Sequence, residues 1–233
     1  VAANPVFAQV NEATESGVAQ SEGLAEIVVT AQRRAENLQS VPIAVSAVTA
    51  SVLESTGIEG TTDLPQIVPS VQITRSGPSG LFFIRGVGTT NAAAGEEGAN
   101  ALYVDNVYIG DLTQTMTNFN NIERVEVLKG PQGTLFGRNA TGGLIHIITR
   151  DPSRDSATLK GQIGFANYDT INTQLYVSGP ITDTVSADVA YAGIYQGKGW
   201  GRNLLTGHKV KVQDFDGVRS KVVFRPDDGM KFT

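Results

Sequence analysis

The stretch at residues 122–152 constrains the fold of this chain more than any other part of the sequence. Apolar and charged side chains are interleaved over 122–129, as they are in a half-buried strand. Turn residues at 130–133 (Gly-Pro-Gln-Gly) end that run, and a second, β-branched run follows over 144–149. Only a short turn or helix fits between the two runs, because Gly142-Gly143 stops it. Two strands joined by a glycine-rich elbow predict a compact sheet domain that ends with this stretch.

Composition argues against several classes of function. The net charge of -5 disfavours a nucleic-acid partner, because phosphate binding needs clustered Lys and Arg. Cysteine is absent, so the chain can form neither a disulfide framework nor a thiolate metal site. The two histidines, His146 and His208, lie far apart in the sequence, and no nucleophile and base have a recognisable spacing. The sequence therefore predicts no enzyme, no cofactor and no metal site.

The N-terminal part has the pattern of an exported chain. Val6-Phe7-Ala8 before Gln9 matches the small-x-small end of a secretory signal peptide, which predicts that residues 1–8 are a signal-peptide remnant. A chance match in a terminal segment is the alternative. Residues 9–40 are mostly small and polar, and we expect a flexible segment there, because such a composition buries too little apolar surface to fold.

A short β-prone run, Glu26 to Ala31, lies within that flexible segment. A strand that has no partner in its own domain is a candidate for pairing with the sheet edge of another protein. The alternative is an ordinary edge strand of the domain that follows. The residues alone leave both interpretations open.

Residues 41–152 are predicted to form one α+β domain, a small mixed sheet with short helices. Its expected strands, besides the two around the elbow, lie at 42–48, 71–74, 81–85 and 101–109, and its expected helices lie at 50–55 and from an N-cap at Thr61 or Thr62. The segment 101–109 is expected to be two short strands around a tight Asp105-Asn106 turn.

After Pro152 the pattern changes to four long alternating strands and the start of a fifth. Each strand has one apolar and one largely polar face, and a length close to the ~9–11 residues that cross a bilayer as a tilted strand. Short turns at 179–183 and 226–229 and a long connection at 196–216 are typical of an outer-membrane barrel, although the first hairpin at 167–169 is short. Four strands cannot close in lipid, so we expect a fragment of a larger barrel. A soluble antiparallel sheet with one wet face is the alternative.

Three motifs resemble the plug domain of the TonB-dependent outer-membrane receptors. They are FIRGVG at 83–88, LYVDNVYIG at 102–110 and VEVLKGPQGTLFGRNATGGLIHIIT at 125–149, in the order and spacing of the family. Asn106 stands where the family usually has Gly, and Asn also tolerates left-handed geometry. The resemblance implies a plug at 41–152 and the first strands of a large antiparallel transmembrane β-barrel at 153–233, in the outer membrane of a Gram-negative bacterium.

The run EIVVTA resembles the TonB box of that family and stands in its place in the chain. This resemblance implies that TonB, with its inner-membrane energising complex, captures the run by strand addition. The implied TonB-binding residues are Glu26, Ile27, Val28, Val29 and Thr30. Backbone hydrogen bonds would carry the affinity, so the side-chain sequence can be loose.

Charged residues within the matching motifs are candidates for ion pairs that fasten the plug to the barrel wall. They are Arg85, Glu126 and Arg138, and their partners would include barrel residues beyond this chain. A charge inside a packed domain is unfavourable unless it is paired. The alternative is a solvated surface of the plug. The candidate residues for cargo binding, in apex loops, are Ser76, Gly77, Ser79, Thr89, Thr90 and Asn91.

The resemblance implies TonB-dependent uptake of a scarce nutrient across the outer membrane. A ferric siderophore is the expected cargo, because it is the commonest in the family, and haem, cobalamin, a glycan or an aromatic compound are alternatives. The expected partners are TonB, outer-membrane lipid and a small iron-chelate cargo, without nucleic acid. A soluble periplasmic binding domain is a second hypothesis. A nucleotide-dependent enzyme rests only on Gly86-Val87-Gly88, which lacks the third glycine and the helix of that motif.

Overall fold

The computed structural model describes most of the chain from residue 27 onward. The described residues are 27–31, 33–34, 36–77, 79–91, 93, 95–114, 119–210, 212–227 and 229–233. The predicted signal-peptide remnant at 1–8 lies outside them. Residues 9–26 of the expected flexible segment, which include Glu26, also lie outside them.

The first part of the chain, up to residue 149, contains short strands and a few short helices. Its strands are β1 (Val28–Val29), β2 (Glu36–Asn37), β3 (Ala44–Thr49), β4 (Val71–Ser76), β5 (Ser79–Ile84), β6 (Val87–Gly88), β7 (Asn100–Val104), β8 (Val107–Ile109), β9 (Ile122–Lys129) and β10 (Gly143–Thr149). Its helices are α1 (Ala50–Thr56), α2 (Gly133–Phe136) and two 3-10 helices, Thr61–Gln66 and Leu112–Gln114. The expected N-cap at Thr61 or Thr62 is wrong by one residue, since Gly60 caps that helix.

Five of these strands form a mixed central sheet in the order β3-β9-β10-β7-β8. The two strands around the elbow are antiparallel neighbours, and β7 lies parallel to β10 on its other side. At the elbow, Gly143 has a φ of 154°, and a Cβ there would overlap the Leu128 carbonyl oxygen. The hairpin β7–β8 turns through Asp105 and Asn106 with φ values of 46° and 69°, which confirms the expected tight turn.

Alternation of side chains along the central strands divides the interior into two cores. Val125 and Val127 point to one face, where the first core contains α1, the 3-10 helix at Thr61–Gln66 and the hairpin β4–β5. Glu126 and Leu128 point to the opposite face. The second core lies on that face and contains Val29, Ala31, Ala101, Tyr103, Leu128, Phe136, Ala140 and Leu144. The central sheet is therefore covered on both sides.

The last part of the chain forms a second, larger sheet. Its strands β11 (Thr158–Ala166), β12 (Thr170–Pro180), β13 (Val185–Gln196), β16 (Asp214–Asp227) and β17 (Met230–Phe232) pair antiparallel in that order, and a small hairpin, β14 (Gly201–Arg202) with β15 (Lys209–Val210), lies in the long connection. The four expected long strands and the start of a fifth are confirmed. In the described residues, no helix is both long and apolar enough to cross a membrane.

The two faces of this larger sheet differ in the way that the alternating pattern predicts. The face turned away from the first part of the chain exposes apolar side chains, among them Leu159, Ile163, Phe165, Leu175, Val177, Val189, Val218, Val222 and Phe224. The opposite face carries Ser186, Asp188 and Lys221, which are buried, and Ser186 and Lys221 donate hydrogen bonds to the carbonyls of Pro152 and Thr149. The second sheet is therefore a wall that packs its polar face on the α+β domain.

Candidate functional site

The strand that carries the predicted TonB-binding residues is folded onto the α+β domain. β1 pairs antiparallel with β2, through the register Val28 to Asn37 and Val29 to Glu36. Val29 and Ala31 are fully buried in the second core. The expectation of a strand without a partner is therefore wrong in this structure. The alternative, an edge strand of the following domain, is not what is observed either, because β1 and β2 form a separate two-stranded sheet.

The Glu126 side chain of β9 binds this hairpin through hydrogen bonds. Its carboxylate is fully buried and accepts hydrogen bonds from the Thr30 N–H (2.8 Å) and the Thr30 hydroxyl (3.2 Å to Oε1). The Arg124 guanidinium donates to the same carboxylate at 2.8 Å. A buried carboxylate is stable only when such donors compensate its charge, so Thr30 and Arg124 together account for this position.

A second contact ties the hairpin to the elbow of the central sheet. The Arg33 guanidinium carbon lies 5.2 Å from the centre of the Phe136 ring, within the range of a cation–π interaction. Beside Glu126 in the sheet register lies His146, whose Nε2 accepts a hydrogen bond from the Asn106 N–H. Burial lowers the pKa of the His146 imidazole below its ordinary value, so the ring is neutral at pH 7.

A cluster of charges joins the α+β domain to the wall, and we call it the interface network. Lys221 of β16 is buried, and its ammonium donates to the Thr149 carbonyl (3.0 Å) and lies 3.2 Å from Asp105 Oδ2. Arg219 donates to the Thr149 hydroxyl at 3.0 Å. Asp105 in turn accepts from the Thr149 N–H at 2.9 Å. The turn of β7–β8 and the end of β10 thus meet the cations of one wall strand.

Asp151 extends the interface network towards the next turn of the wall. Its carboxylate pairs with Arg225 and lies 2.6 Å from the Lys231 ammonium and 3.5 Å from that of Lys221. Burial alone would raise the pKa of the Asp151 carboxyl, but the Lys231 hydrogen bond and the surrounding cations outweigh it and hold this pKa below its usual range. The carboxylate is therefore charged at neutral pH, and the attraction is fully present.

The three charged residues predicted to fasten the plug lie within the α+β domain. Arg138 is largely exposed and pairs with Glu97 at 2.8 Å, while Glu126 pairs with Arg124 as described above. Arg85 is exposed, with a φ of 52°, and its backbone N–H donates to the Ser70 carbonyl. Among the described residues, the ion pairs of Glu126 and Arg138 stay inside this domain. Contacts of all three with further barrel residues stay a prediction.

The candidate cargo residues lie in two loops of the α+β domain. Ser76, Gly77 and Ser79 form the turn of the β4–β5 hairpin, where the first two are exposed and Ser79 is buried. Thr89, Thr90 and Asn91 follow β6, and the Asn91 amide donates to Glu96 at 2.8 Å. Their role in cargo binding stays a prediction.

Comparison with known proteins agrees with this architecture. The family model described as "TonB-dependent Receptor Plug Domain" matches residues 37–144, which run from β2 to the start of β10 and include the central strands β3, β7, β8 and β9. The chain belongs to the TonB-dependent receptor family. Residues 37–144 are accordingly the plug, and the second sheet is the first part of the barrel wall that follows it in this family.

Individual TonB-dependent receptors resemble this chain over most of its length. The pesticin receptor of Yersinia pestis is 33% identical over 160 residues, which are 67% of this chain and 23% of that receptor. The iron-regulated outer membrane virulence protein of Vibrio cholerae is 31% identical over 175 residues, 70% of this chain and 26% of that protein. The crystal structure of the ferric yersiniabactin uptake receptor of Yersinia pestis has a TM-score of 0.68 at 28% identity, over 80% of this chain and 29% of that one. The chain spans about a quarter of the length of these curated relatives.

Sequence reasoning did not find the interface network in this TonB-dependent receptor. Asp105 stood out only as a turn residue, and Asp151 was not singled out as a site residue. One signal was present: Arg219, Lys221 and Arg225 alternate along the polar face of a single strand. Three cations on the inner face of a wall predict carboxylates opposite them, because buried cations need compensation.

Proposed function

We propose that this chain is the plug and first wall segment of a receptor that imports an iron chelate, a ferric siderophore, across the outer membrane with energy from TonB. The observation that carries the proposal is the plug fold, in which the hairpin β1–β2 packs on the face of the central sheet that carries the second core. That arrangement places a short strand where an external protein can pull on the plug. The family to which the chain belongs consists of transport receptors, and no covalent chemistry is required of the residues described here.

The TonB-binding step in this proposal is strand addition to residues 26–30. Backbone hydrogen bonds provide the affinity of such a contact, so it needs a strand edge more than particular side chains. The Val29 side chain of β1 is fully buried in the second core, so traction on this strand acts directly on that core of the plug. Tension applied to β1 would uncover the face of the central sheet that carries the second core.

The interface network has the complementary role of keeping the plug in the barrel while β1 is pulled. Its charges lie at the end of β10 and at the Asp105 turn, on residues that are not members of the second core under the hairpin. The interface network would therefore hold the plug to the wall while tension on β1 disturbs the second core. Rearrangement of the pulled side would open a path for cargo.

An iron chelate is the cargo best supported by the similar proteins. The ferric yersiniabactin uptake receptor and the iron-regulated protein of Vibrio cholerae carry iron in their names, and both are similar to this chain over most of its length. Cobalamin is the second candidate, because a vitamin B12 transporter of Vibrio vulnificus is 25% identical over 71% of this chain. Abundance of the full receptor in the outer-membrane fraction separates the two: a rise on iron starvation supports the iron chelate, and no response contradicts it.

The TonB step is tested by Val28→Pro in the full receptor. Proline removes a backbone donor from the strand, so we expect binding of the periplasmic domain of TonB and uptake of the radiolabelled iron chelate to be abolished. The variant should be present in the outer membrane at wild-type level, because Val28 is half-exposed and its side chain is outside the second core. Normal TonB binding by this variant would contradict the assignment of residues 26–30.

A further inference from the structure

We infer that the Glu126 carboxylate caps the strand edge to which TonB binds, so that TonB must displace Glu126 before it can pair with β1. This inference rests on the proposed function of residues 26–30. It goes beyond that function by naming Glu126 as the residue that controls the access of TonB to that strand. The carboxylate occupies the place that a carbonyl oxygen of an added strand would take.

The hydrogen-bond pattern of the hairpin shows which edge of β1 is open. The Leu38 N–H donates to the Ile27 carbonyl at 2.9 Å, so Ile27 and Leu38 form a hydrogen-bonded pair of the β1–β2 ladder. Bonded and non-bonded pairs alternate along an antiparallel ladder, so the N–H and C=O of Val28 point away from β2. The Thr30 N–H, two residues further, points to the same open side. These groups form the edge available to another strand.

Glu126 lies against that open edge. Its Oε1 accepts the Thr30 N–H at 2.8 Å, which is the donor that an incoming strand would need at this position. The Thr30 hydroxyl donates to both carboxylate oxygens, at 3.2 and 3.3 Å, and so strengthens the cap. Exposed strand edges attract unwanted pairing, and a charged group placed on the edge prevents it.

The surroundings of Glu126 allow the cap to open without leaving an uncompensated charge. Arg124 donates to the carboxylate from the same strand, and its described ion pairs are with Glu123 and Glu126 of that strand, so this ion pair persists when Thr30 leaves. The capped state has a charge-assisted hydrogen bond to a backbone N–H, which is stronger than the neutral bond that a strand carbonyl offers. Exchange of Glu126 for a TonB strand is therefore unfavourable at this one position, and the cap lowers the affinity of the resting receptor for TonB.

The experiment measures the affinity of the purified full receptor, without cargo, for the purified periplasmic domain of TonB. Glu126→Leu removes both acceptor oxygens at similar volume, and we expect the affinity to rise about tenfold. Glu126→Gln retains an amide oxygen that accepts the Thr30 N–H, so we expect a rise of about threefold. If Glu126→Leu is not recovered from the outer membrane, Glu126→Gln carries the test. Wild-type affinity in the variants that are recovered would overturn the inference.

Two control variants separate capping from general loosening of the plug. Glu123→Leu makes the same change on the same strand and removes another partner of Arg124. The described ion pair of Glu123 is with Arg124 and not with the hairpin, so we expect the affinity to change less than twofold. Leu53→Ala destabilises the first core on the opposite face of the sheet. It should lower the melting temperature and leave the TonB affinity unchanged. An equal rise in affinity with Leu53→Ala would show loosening and overturn the cap.

Val28→Pro in the same assay distinguishes failure of the cap from failure of the proposed function. If Val28→Pro abolishes TonB binding while the Glu126 variants bind like wild type, the strand assignment stands and the cap is wrong. If Val28→Pro binds like wild type, residues 26–30 are not the TonB-binding strand, and the cap fails with that assignment.

Discussion

Lys221 shows how a single side chain can hold the plug to the barrel wall. Only 7% of its side chain is exposed, and its ammonium is shared between Asp105, Asp151 and the Thr149 carbonyl. Removing one partner of a buried ion pair is strongly unfavourable, by about 3–5 kcal/mol, because the remaining charge stays buried without compensation. Arg219 and Arg225 partly compensate the two carboxylates, so the loss at this position should be at the lower end of that range.

Lys221→Met in the full receptor tests the interface network. We expect a loss of about 3 kcal/mol in the free energy of unfolding, seen as a lower melting temperature of the purified receptor. Cells that carry the variant should become more sensitive to a large antibiotic that the closed plug excludes. Lys198→Met is the matched control, because Lys198 pairs with Asp169 in an exposed position whose loss is worth less than about 1 kcal/mol. Equal behaviour of the two variants would contradict a holding role for Lys221.

At the residue scale, the sequence indicated important side chains but not their partners. Glu126 was predicted to pair with the barrel wall, with a solvated surface as the alternative; its side chain is fully buried and forms an ion pair with Arg124 of its own strand. Its partner Thr30 lies 96 positions earlier, and Lys221 lies 72 positions after Thr149. Such pairs depend on how the hairpin and the wall dock on the sheet, and the residue pattern along one strand does not show which residues lie opposite it.

At the element scale, the glycine-rich elbow is the part that the sequence predicted best. Alternation over 122–129 and the turn residues after it are local signals, and the strands β9 and β10 confirm them. The parallel neighbour β7 was not predicted, because neighbour order in a sheet is not a local property. The β1–β2 pairing was missed for a related reason, since strands of two residues show no periodicity.

The elbow itself is tested by two glycine substitutions. Gly143→Ala would put a Cβ on the Leu128 carbonyl oxygen at a φ of 154°, so we expect a loss of more than about 2 kcal/mol in stability. Gly133→Ala, at the start of α2, meets no atom within 4 Å and should be neutral or stabilising by up to about 1 kcal/mol. Melting temperatures of the two full receptors provide the comparison. A harmless Gly143→Ala would mean that the strands around the elbow are not this closely packed.

At the scale of the whole molecule, the two faces of the wall distinguish a membrane barrel from a soluble sheet. The outward face exposes large apolar side chains on four successive strands, and the inward face packs charges on the plug. A soluble protein rarely exposes a continuous apolar surface of this kind, whereas lipid requires one. The same alternation that predicted strands therefore also predicted the direction in which the wall faces, once the plug showed which side is inside.

Val189→Arg tests this orientation, because the two alternatives predict opposite outcomes. Val189 lies within β13 on the outward face, and 49% of it is exposed. In a bilayer, an arginine at such a position is unfavourable by about 2–4 kcal/mol near the midplane, so we expect less assembled receptor in the outer-membrane fraction. In a soluble sheet the same arginine would only add surface charge, and the amount of folded protein would not change. Leu204→Arg, in the connection beyond β14 where the side chain is 97% exposed, should be tolerated in both cases and serves as the control.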